Sequence, residues 1–239
     1  MKLILKERPK SPTIIEGFPG FGLVGTITTQ FLIKHLNAKQ IGSISSEDQV
    51  PITAIHEGKI VEPLSIFYDS KYNVVILHAL TGVSGFEWKI ADVIMELCKE
   101  LKCKELISLE GISATNPEKT NIYFYANTED NKKKFAKLNL EPLKEGLVIG
   151  VSGALLVKSK MPLSCVFIES HVNLADSMAA AKIIEVLDKY LKLKVDFTPL
   201  MKTAQEFETK LKTIITKNKE ISGLQKSSKE IKQQLGYIG

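Results

Sequence analysis

The chain has 239 residues, of which 44% are hydrophobic and 25% are charged, and it carries a formal net charge of +5. This composition excludes a disordered protein, and the length suits one substantial α/β domain with an appendage. No apolar run approaches the roughly 20 residues that cross a bilayer, and Met1–Glu7 is too short for a secretory signal. We therefore expect a cytoplasmic protein without membrane contact.

The positive charge is concentrated towards the C-terminus. Residues 200–239 contain eight lysines and four glutamates, which places four of the five net charges there. Nucleic-acid binding calls for a basic patch with aromatic or arginine side chains, but Arg8 is the only arginine. We interpret the lysines as a solvated helix face and expect no nucleic-acid partner.

A glycine-rich turn follows the second predicted strand. Residues 2–5 and 13–16 have the pattern of short strands, and residues 22–36 have the apolar spacing of a helix with one buried face. Residues 17–25, which join the second strand to the helix, contain four glycines. A further strand at residues 40–45 then predicts a β-α-β beginning.

The turn matches a dinucleotide-binding pattern. Gly20, Gly22 and Gly25 have the G-x-G-x-x-G spacing, and the acidic Glu47 lies at about the expected distance of 20 residues. The free N–H groups at a helix start can also hold an anion. Pro19, however, interrupts the approach from the strand and removes one N–H donor.

Two interpretations of the turn therefore remain open. The glycines could form a nucleotide- or phosphate-binding turn in an enzyme. They could instead let strand and helix pack closely, which would leave Phe18 and Phe21 exposed to a neighbouring subunit.

The rest of the core alternates between strand and helix patterns. We predict a hairpin inserted into the sheet around residues 57–59, strands at 64–68, 73–80, 105–111, 122–125, 147–151 and 163–169, and helices at 86–101, 132–138 and 175–191. Such alternation predicts a three-layer α/β/α sandwich with a mixed, mostly parallel sheet.

Pro199 marks a boundary between a predicted α/β core domain, residues 1–199, and a C-terminal amphipathic helical tail, residues 200–239. The tail carries a heptad-like apolar stripe of Phe207, Leu211, Ile214, Ile221, Leu224, Ile231 and Leu235. A narrow stripe of this kind needs a partner. The chain could thus be a scaffold that assembles with itself or with another protein.

Polar residues at the predicted strand ends are the candidates for catalysis, because open α/β sheets place their sites there. They are His78 with Ser84, Glu110, Ser152, and Glu169 with His171. Neither glycine-serine stretch has the spacing of a nucleophile elbow. No cysteine or histidine pair has the spacing of a zinc site, so we expect reduced cysteines, no catalytic residue, no metal and no cofactor.

Three stretches carry a resemblance to a known family. Residues 17–25, residues 148–156 and residues 175–180 resemble the proteasome assembly chaperone family, in particular archaeal homologues of the second proteasome assembly chaperone. The resemblance implies a fold similar to that of nucleoside phosphorylases and a non-enzymatic role. It also implies a small ring of four or five identical subunits that contacts proteasome α subunits.

In that family, a terminal hydrophobic-Tyr-any tripeptide is implied to enter pockets between proteasome α subunits. Here the partner-binding candidates at the end are Leu235, Tyr237, Ile238 and Gly239. The tyrosine stands third from the end instead of second, and Gly236 precedes it. Docking in a different register, or packing of the tail within the oligomer, is therefore expected.

Overall fold

The computed structural model describes residues 1–46, 53–56, 59–113, 120–170 and 175–196. The strands are β1 Lys2–Leu5, β2 Thr13–Gly17, β3 Lys39–Ser45, β4 Ala54–His56, β5 Lys59–Val61, β6 Leu64–Asp69, β7 Val74–Ala79, β8 Glu105–Ser113, β9 Ile122–Ala126, β10 Glu141–Pro142 and β11 Leu163–Ser170. The helices are α1 Val24–His35, α2 Glu87–Leu101, α3 Glu129–Ala136, α4 Val151–Lys158 and α5 Ser177–Leu191.

Among the described residues, nine strands form one mixed sheet in the order β1-β3-β6-β7-β2-β8-β11-β9-β10. The four central strands, β7, β2, β8 and β11, run parallel to one another. Antiparallel pairs flank them, with β6 beside β7 and β9 beside β11. Because the central strands are covered on both faces, they are largely buried, including several of their polar side chains.

Helices cover both faces of the sheet and form two cores. On one face α2 packs with α4, and Ile90, Ile94 and Leu155 are fully buried there. On the other face α1 packs with α5, and Leu32 and Ile183 are fully buried. The predicted three-layer sandwich with a mixed sheet is confirmed, and its parallel pairs join the four central strands and, at one edge, β9 and β10.

The predicted strand at residues 147–151 is wrong. The run of Val and Ile favoured a strand, but Gly150 has a φ of 88° and α4 begins directly after it. The preceding segment lies against α4, where a Cβ on Gly153 would meet the Val148 carbonyl oxygen at 2.5 Å. Residues 147–149 belong to no helix or strand.

Two smaller expectations are corrected. The hairpin near residue 57 does not enter the main sheet, because β4 and β5 pair only with each other and β6 alone continues the sheet. The helix expected at 132–138 begins earlier, at Glu129, because Thr128 caps it and accepts a hydrogen bond from the Asn131 backbone N–H.

The predicted tail, including the apolar stripe and the domain boundary at Pro199, lies outside the described residues, as do Glu47 and His171. Within the part of the chain that is described, no helix has the length and apolarity needed to cross a bilayer.

Candidate functional site

The glycine turn lies at the edge of the sheet where the central parallel strands end. We call this the carboxyl edge; it holds the ends of β2, β7, β8 and β11. In an open α/β sheet this edge is the usual place for a ligand. After β2 the chain makes a short 3-10 turn, Phe21–Leu23, and then enters α1.

The space beside the glycines of the turn is occupied by neighbouring carboxyl and hydroxyl side chains. A Cβ on Gly20 would meet Oε1 of Glu110 at 2.2 Å. Gly22 has a φ of 63°, and a Cβ there would meet Oγ of Ser170 at 1.9 Å. The Gly22 carbonyl also accepts a hydrogen bond of 2.8 Å from the Asp176 N–H. Glycine is needed at both positions because the turn is pressed against the sheet.

Gly25 serves close packing of α1 on the sheet. A Cβ at Gly25 would lie 2.9 Å from the Leu109 carbonyl oxygen and 3.0 Å from the Cα of Gly17. The turn also uses its own donors, since the Leu23 N–H donates to the Gly20 carbonyl at 3.1 Å. With carboxyl groups beside the turn and a donor used internally, the geometry favours close packing over a phosphate cradle.

A row of buried polar groups lies next to the turn, on the face covered by α2 and α4. The Ser108 hydroxyl of β8 donates to Oγ of Ser152 in α4 at 2.8 Å. Ser152 in turn donates to Oε2 of Glu110 at 2.8 Å. Burial raises the pKa of Glu110 to about 7, although the hydrogen bond from Ser152 works in the opposite direction. The structure thus joins two predicted candidates, Glu110 and Ser152.

Glu16 of β2 is the residue of this row that sequence reasoning missed. It is fully buried, and neither carboxyl oxygen has a hydrogen-bond partner among the described residues. Burial raises its pKa to about 8, the nearby Ser108 hydroxyl lowers it somewhat, and the charge of Glu110 raises it further. A glutamate between apolar residues in a central strand was the available signal, because such a carboxyl must be buried.

His78 lies on the opposite face, against α1. Its Nδ1 is 2.9 Å from Oγ1 of Thr29, whose own hydroxyl is 2.9 Å from the Gly25 carbonyl oxygen. We assign the Thr29 hydroxyl proton to that carbonyl, which makes His78 the donor to Thr29 through Nδ1–H; the direction of this bond follows from the assigned tautomer. Its Nε2 is buried without a partner, and burial lowers the pKa to about 4. Ser84 is exposed and does not bond His78.

Glu169 has a role in positioning the chain. One of its carboxyl oxygens accepts hydrogen bonds from the backbone N–H and the side-chain amide of Asn121, at 3.1 and 2.7 Å. These bonds hold the start of β9 against β11. The described residues bring no three histidine, cysteine or acidic side chains together as metal ligands. Their cysteines, Cys98, Cys103 and Cys165, are free thiols.

The carboxyl edge presents large apolar side chains to solvent. Phe21 of the glycine turn is 37% exposed, as expected from the sequence. Phe18 is only 7% exposed and packs into the core under α2 and α4, so its predicted exposure is wrong. Trp88 and Met178, in the first turns of α2 and α5, are also exposed at this edge.

A second exposed group, the α4 surface, consists of Leu147, Ile149 and Val157. These side chains are 93%, 77% and 75% exposed. Leu147 and Ile149 precede α4, and Val157 lies in its last turn. Gly153, one helical turn before Val157, lies against the Val148 carbonyl oxygen, which keeps the preceding segment beside the helix. Patches of this kind mark sites of protein–protein contact.

The separate β4–β5 hairpin adds an apolar pair. Ile55 and Ile60 lie directly opposite each other and are 76% and 72% exposed. The hairpin lies in the chain between β3 and β6, and Leu64 at the start of β6 pairs with Ala79 at the end of β7. It therefore leaves the sheet at the carboxyl edge.

This arrangement defines an α/β sandwich whose carboxyl edge carries a closed glycine turn and exposed apolar groups. A model of the PAC2 family matches residues 14–215, and the chain belongs to this family. The resemblance found in the sequence is thereby confirmed. An uncharacterised protein of Methanocaldococcus jannaschii, MJ0106, is 30% identical over 236 residues, covering 96% of each chain.

Solved structures show the same fold. PbaA of Pyrococcus furiosus, described as an archaeal homologue of proteasome-assembly chaperone, is 29% identical with a TM-score of 0.83 over 92% of this chain and 99% of PbaA. PbaB of the same organism, described as an archaeal proteasome activator, has a TM-score of 0.71 at 24% identity, covering 89% of this chain and 98% of PbaB. The likeness to PbaB concerns the fold alone.

Proposed function

We propose that this protein is a non-enzymatic proteasome assembly chaperone-like protein of the cytoplasm that binds other protein chains at its carboxyl edge. The observation that carries the proposal is the exposure of Phe21, Trp88, Ile55 and Ile60 at the edge where related architectures place catalytic clefts. Exposed apolar groups in this arrangement suit contact with a protein surface.

The glycine turn supports this proposal over its enzymatic alternative. A nucleotide-binding turn must leave space and free N–H donors for phosphate, whereas Glu110 lies against Gly20 and Ser170 lies against Gly22. Negative charge on Glu110 or Asp176 would repel a phosphate group. Saturable binding of a nucleotide that is lost in Gly22→Trp would favour the enzyme instead.

The proposal extends to assembly and to the tail. The α4 surface suits a contact between identical subunits, in a small ring of four or five copies. Tyr237, Ile238 and Gly239, together with Leu235, are proposed to contact the proteasome α ring, with the tyrosine in an apolar slot and the terminal carboxylate paired with a lysine. PbaA, at 29% identity, is described as an archaeal homologue of proteasome-assembly chaperone, which supports the proteasome as the partner.

Native mass spectrometry of the full chain, alone and mixed with proteasome α subunits from the same source, tests the proposal. We expect a discrete complex with the α ring that is lost when residues 237–239 are removed. Tyr237→Ala keeps the chain length and the terminal carboxylate, so a loss of binding in this variant would show that the tyrosine side chain makes the contact. A stable homo-oligomer that does not bind the α ring would overturn the proposal. It would favour the alternative that the protein is a self-assembling scaffold for another protein.

A further inference from the structure

A buried acidic row connects α4, the sheet and the glycine turn. It consists of Glu16 on β2, Ser108 and Glu110 on β8, and Ser152 on α4. Ser108 and Ser152 are 0% and 2% exposed and form the hydrogen-bonded link that ends on Glu110. Glu16 is paired in register with Ser108 and has both carboxyl oxygens without partners among the described residues.

The described titratable groups that respond to this row are thiols and carboxyls. Burial raises the pKa of the Cys165 thiol of β11, and a hydrogen bond with Cys103 and burial raise the pKa of the Cys98 thiol of α2; the charge of Glu16 adds to both. The described groups that shift the pKa of Glu16 and Glu110 include hydroxyls and one carboxyl but no cation. A second negative charge in this row would therefore be buried without compensation.

Glu110 connects two parts of the apolar surface. Its Oε2 holds the first turn of α4 through Ser152, and its Oε1 lies where a side chain of Gly20 would otherwise be. The helix carries Val157 and is preceded by Leu147 and Ile149, the other residues of the α4 surface, and the turn carries Phe21. A change in the position of the Glu110 carboxyl is thus transmitted to both.

We propose that the row of Glu16, Ser108, Ser152 and Glu110 is a proton-controlled latch that holds α4 and the glycine turn against the sheet. While at least one of the two carboxyls holds a proton, the row carries at most a single charge and Glu110 accepts the hydrogen bond from Ser152. Loss of that proton to solvent leaves two buried carboxylates, which repel each other and draw water, and α4 and the turn separate from the sheet.

The latch gives the apolar surfaces two states. In the docked state Leu147, Ile149 and Val157 form one surface at a fixed distance from Phe21. In the released state the amides of α4 open locally while the central strands stay paired. The proton therefore controls the shape of the proposed contact surface without unfolding the protein.

Hydrogen–deuterium exchange of the full chain tests the latch. Protection of the α4 amides, corrected for intrinsic exchange, is compared between about pH 6 and about pH 9. We expect α4 and the Phe21–Leu23 turn to lose about 10-fold protection at the higher pH while β11 keeps its protection. In Glu16→Gln, which keeps the shape but cannot ionise, α4 should keep its protection at both pH values.

Glu105→Gln is the matched control. Glu105 is a buried carboxyl on β8, the strand of Glu110, but it accepts a hydrogen bond from the Tyr190 hydroxyl and lies away from α4. Its α4 amides should behave like those of the unmodified chain. Equal loss of protection in Glu16→Gln and the unmodified chain would overturn the latch. A uniform loss in all helices, which indicates global unfolding, would overturn it as well.

Carbon-13 titration of the glutamate carboxyls in the unmodified chain keeps the proposal testable if Glu16→Gln does not fold. Two carboxyls should titrate above about pH 6, and their midpoints should coincide with the change in the α4 amide signals. The proposal fails if every glutamate titrates below about pH 6.

Discussion

The Gly20 backbone lies against the carboxyl of Glu110, with a Cβ at position 20 placed only 2.2 Å from Oε1. In Gly20→Ala the carboxyl must turn away, which breaks the hydrogen bond from Ser152. We expect a loss of about 1–2 kcal/mol in the free energy of unfolding. Urea denaturation of Gly20→Ala measures it.

Making Gly20→Ala in a Glu110→Ala background separates the contact between position 20 and the Glu110 carboxyl from other effects of the added methyl group. Removing the carboxyl makes space, so Gly20→Ala should cost less there, and the difference is the coupling energy. Gly22→Ala is the control, because it meets Ser170 and has a positive φ, and its cost should not depend on Glu110. An equal cost for Gly20→Ala in both backgrounds would show that the contact has no energetic weight.

Two neighbouring threonines on α1 make a matched pair. The Thr29 hydroxyl bonds His78 and the Gly25 carbonyl, whereas the buried Thr28 hydroxyl has no partner among the described residues. Thr29→Val leaves the His78 N–H unsatisfied and should cost about 1–3 kcal/mol. Thr28→Val removes an unpaired polar group and should be neutral or stabilising. Thermal unfolding of both variants is the measurement, and equal melting temperatures would contradict the assigned bond.

Stability should fall as the pH rises from about 4.5 to about 8. The pKa values of Glu16 and Glu110 are raised to about 8 and about 7, so the folded chain holds protons there that the unfolded chain has released. Their contribution is complete below pH 4.5 and is lost as the pH passes these values. Glu16→Gln should recover several kcal/mol, on the order of 4, at about pH 9. Urea denaturation across pH measures this recovery, and an unchanged alkaline slope in Glu16→Gln would refute the assignment.

His78 acts in the opposite direction at lower pH. Its pKa is lowered to about 4, so the unfolded chain binds a proton between about pH 6.5 and about 4 that the folded chain does not. Proton uptake by His78 in the unfolded chain therefore lowers the free energy of unfolding as the pH falls from about 6.5 to about 4. The free energy of unfolding of His78→Gln, relative to the unmodified chain, should therefore rise as the pH falls from about 6.5 to about 4, as judged by urea denaturation at several pH values, and a difference that does not change with pH would rule this assignment out.

The α4 surface should matter for association and little for folding. Val157 is 75% exposed, so Val157→Asp should change the free energy of unfolding by less than about 0.5 kcal/mol. The proposed contact would bury this charge, so the oligomer should dissociate in sedimentation experiments. Ala136 is an exposed residue of α3, on the opposite face of the sheet. Ala136→Asp adds the same charge there and should leave the oligomer intact. If both variants dissociate the oligomer, the added charge alone is the cause, and the proposed contact at the α4 surface is contradicted.

The sequence predicted most strands because their patterns are local. Mainly apolar runs such as Val74–Ala79 and Leu163–Ser170 are stable between two layers of helices. The segment at 147–151 failed because its Val and Ile residues favour a strand, while only the tertiary structure shows Val148 against Gly153. Strand preference here was overridden by packing.

The candidate site was predictable in part. The glycine turn was visible because glycine spacing at a strand-to-helix junction is a local signal. The partner of Gly20, Glu110, lies 90 residues further along the chain, and its approach depends on β2 and β8 being neighbours. Phe18 was misplaced for the same reason, since the direction of a turn side chain depends on distant packing.

The position of β2 also determines when the core can form during synthesis. Its partners, Val74–His78 and Glu105–Leu109, follow it by about 60 and about 90 residues. At about 5–20 residues per second, β2 waits about 5–20 s for β8 to leave the ribosome. Throughout that interval Glu16 lies in water with the ordinary pKa of a glutamate and is ionised. Because the pKa of Glu16 rises to about 8 in the folded chain, completion of the fold around β2 should be accompanied by proton uptake at neutral pH.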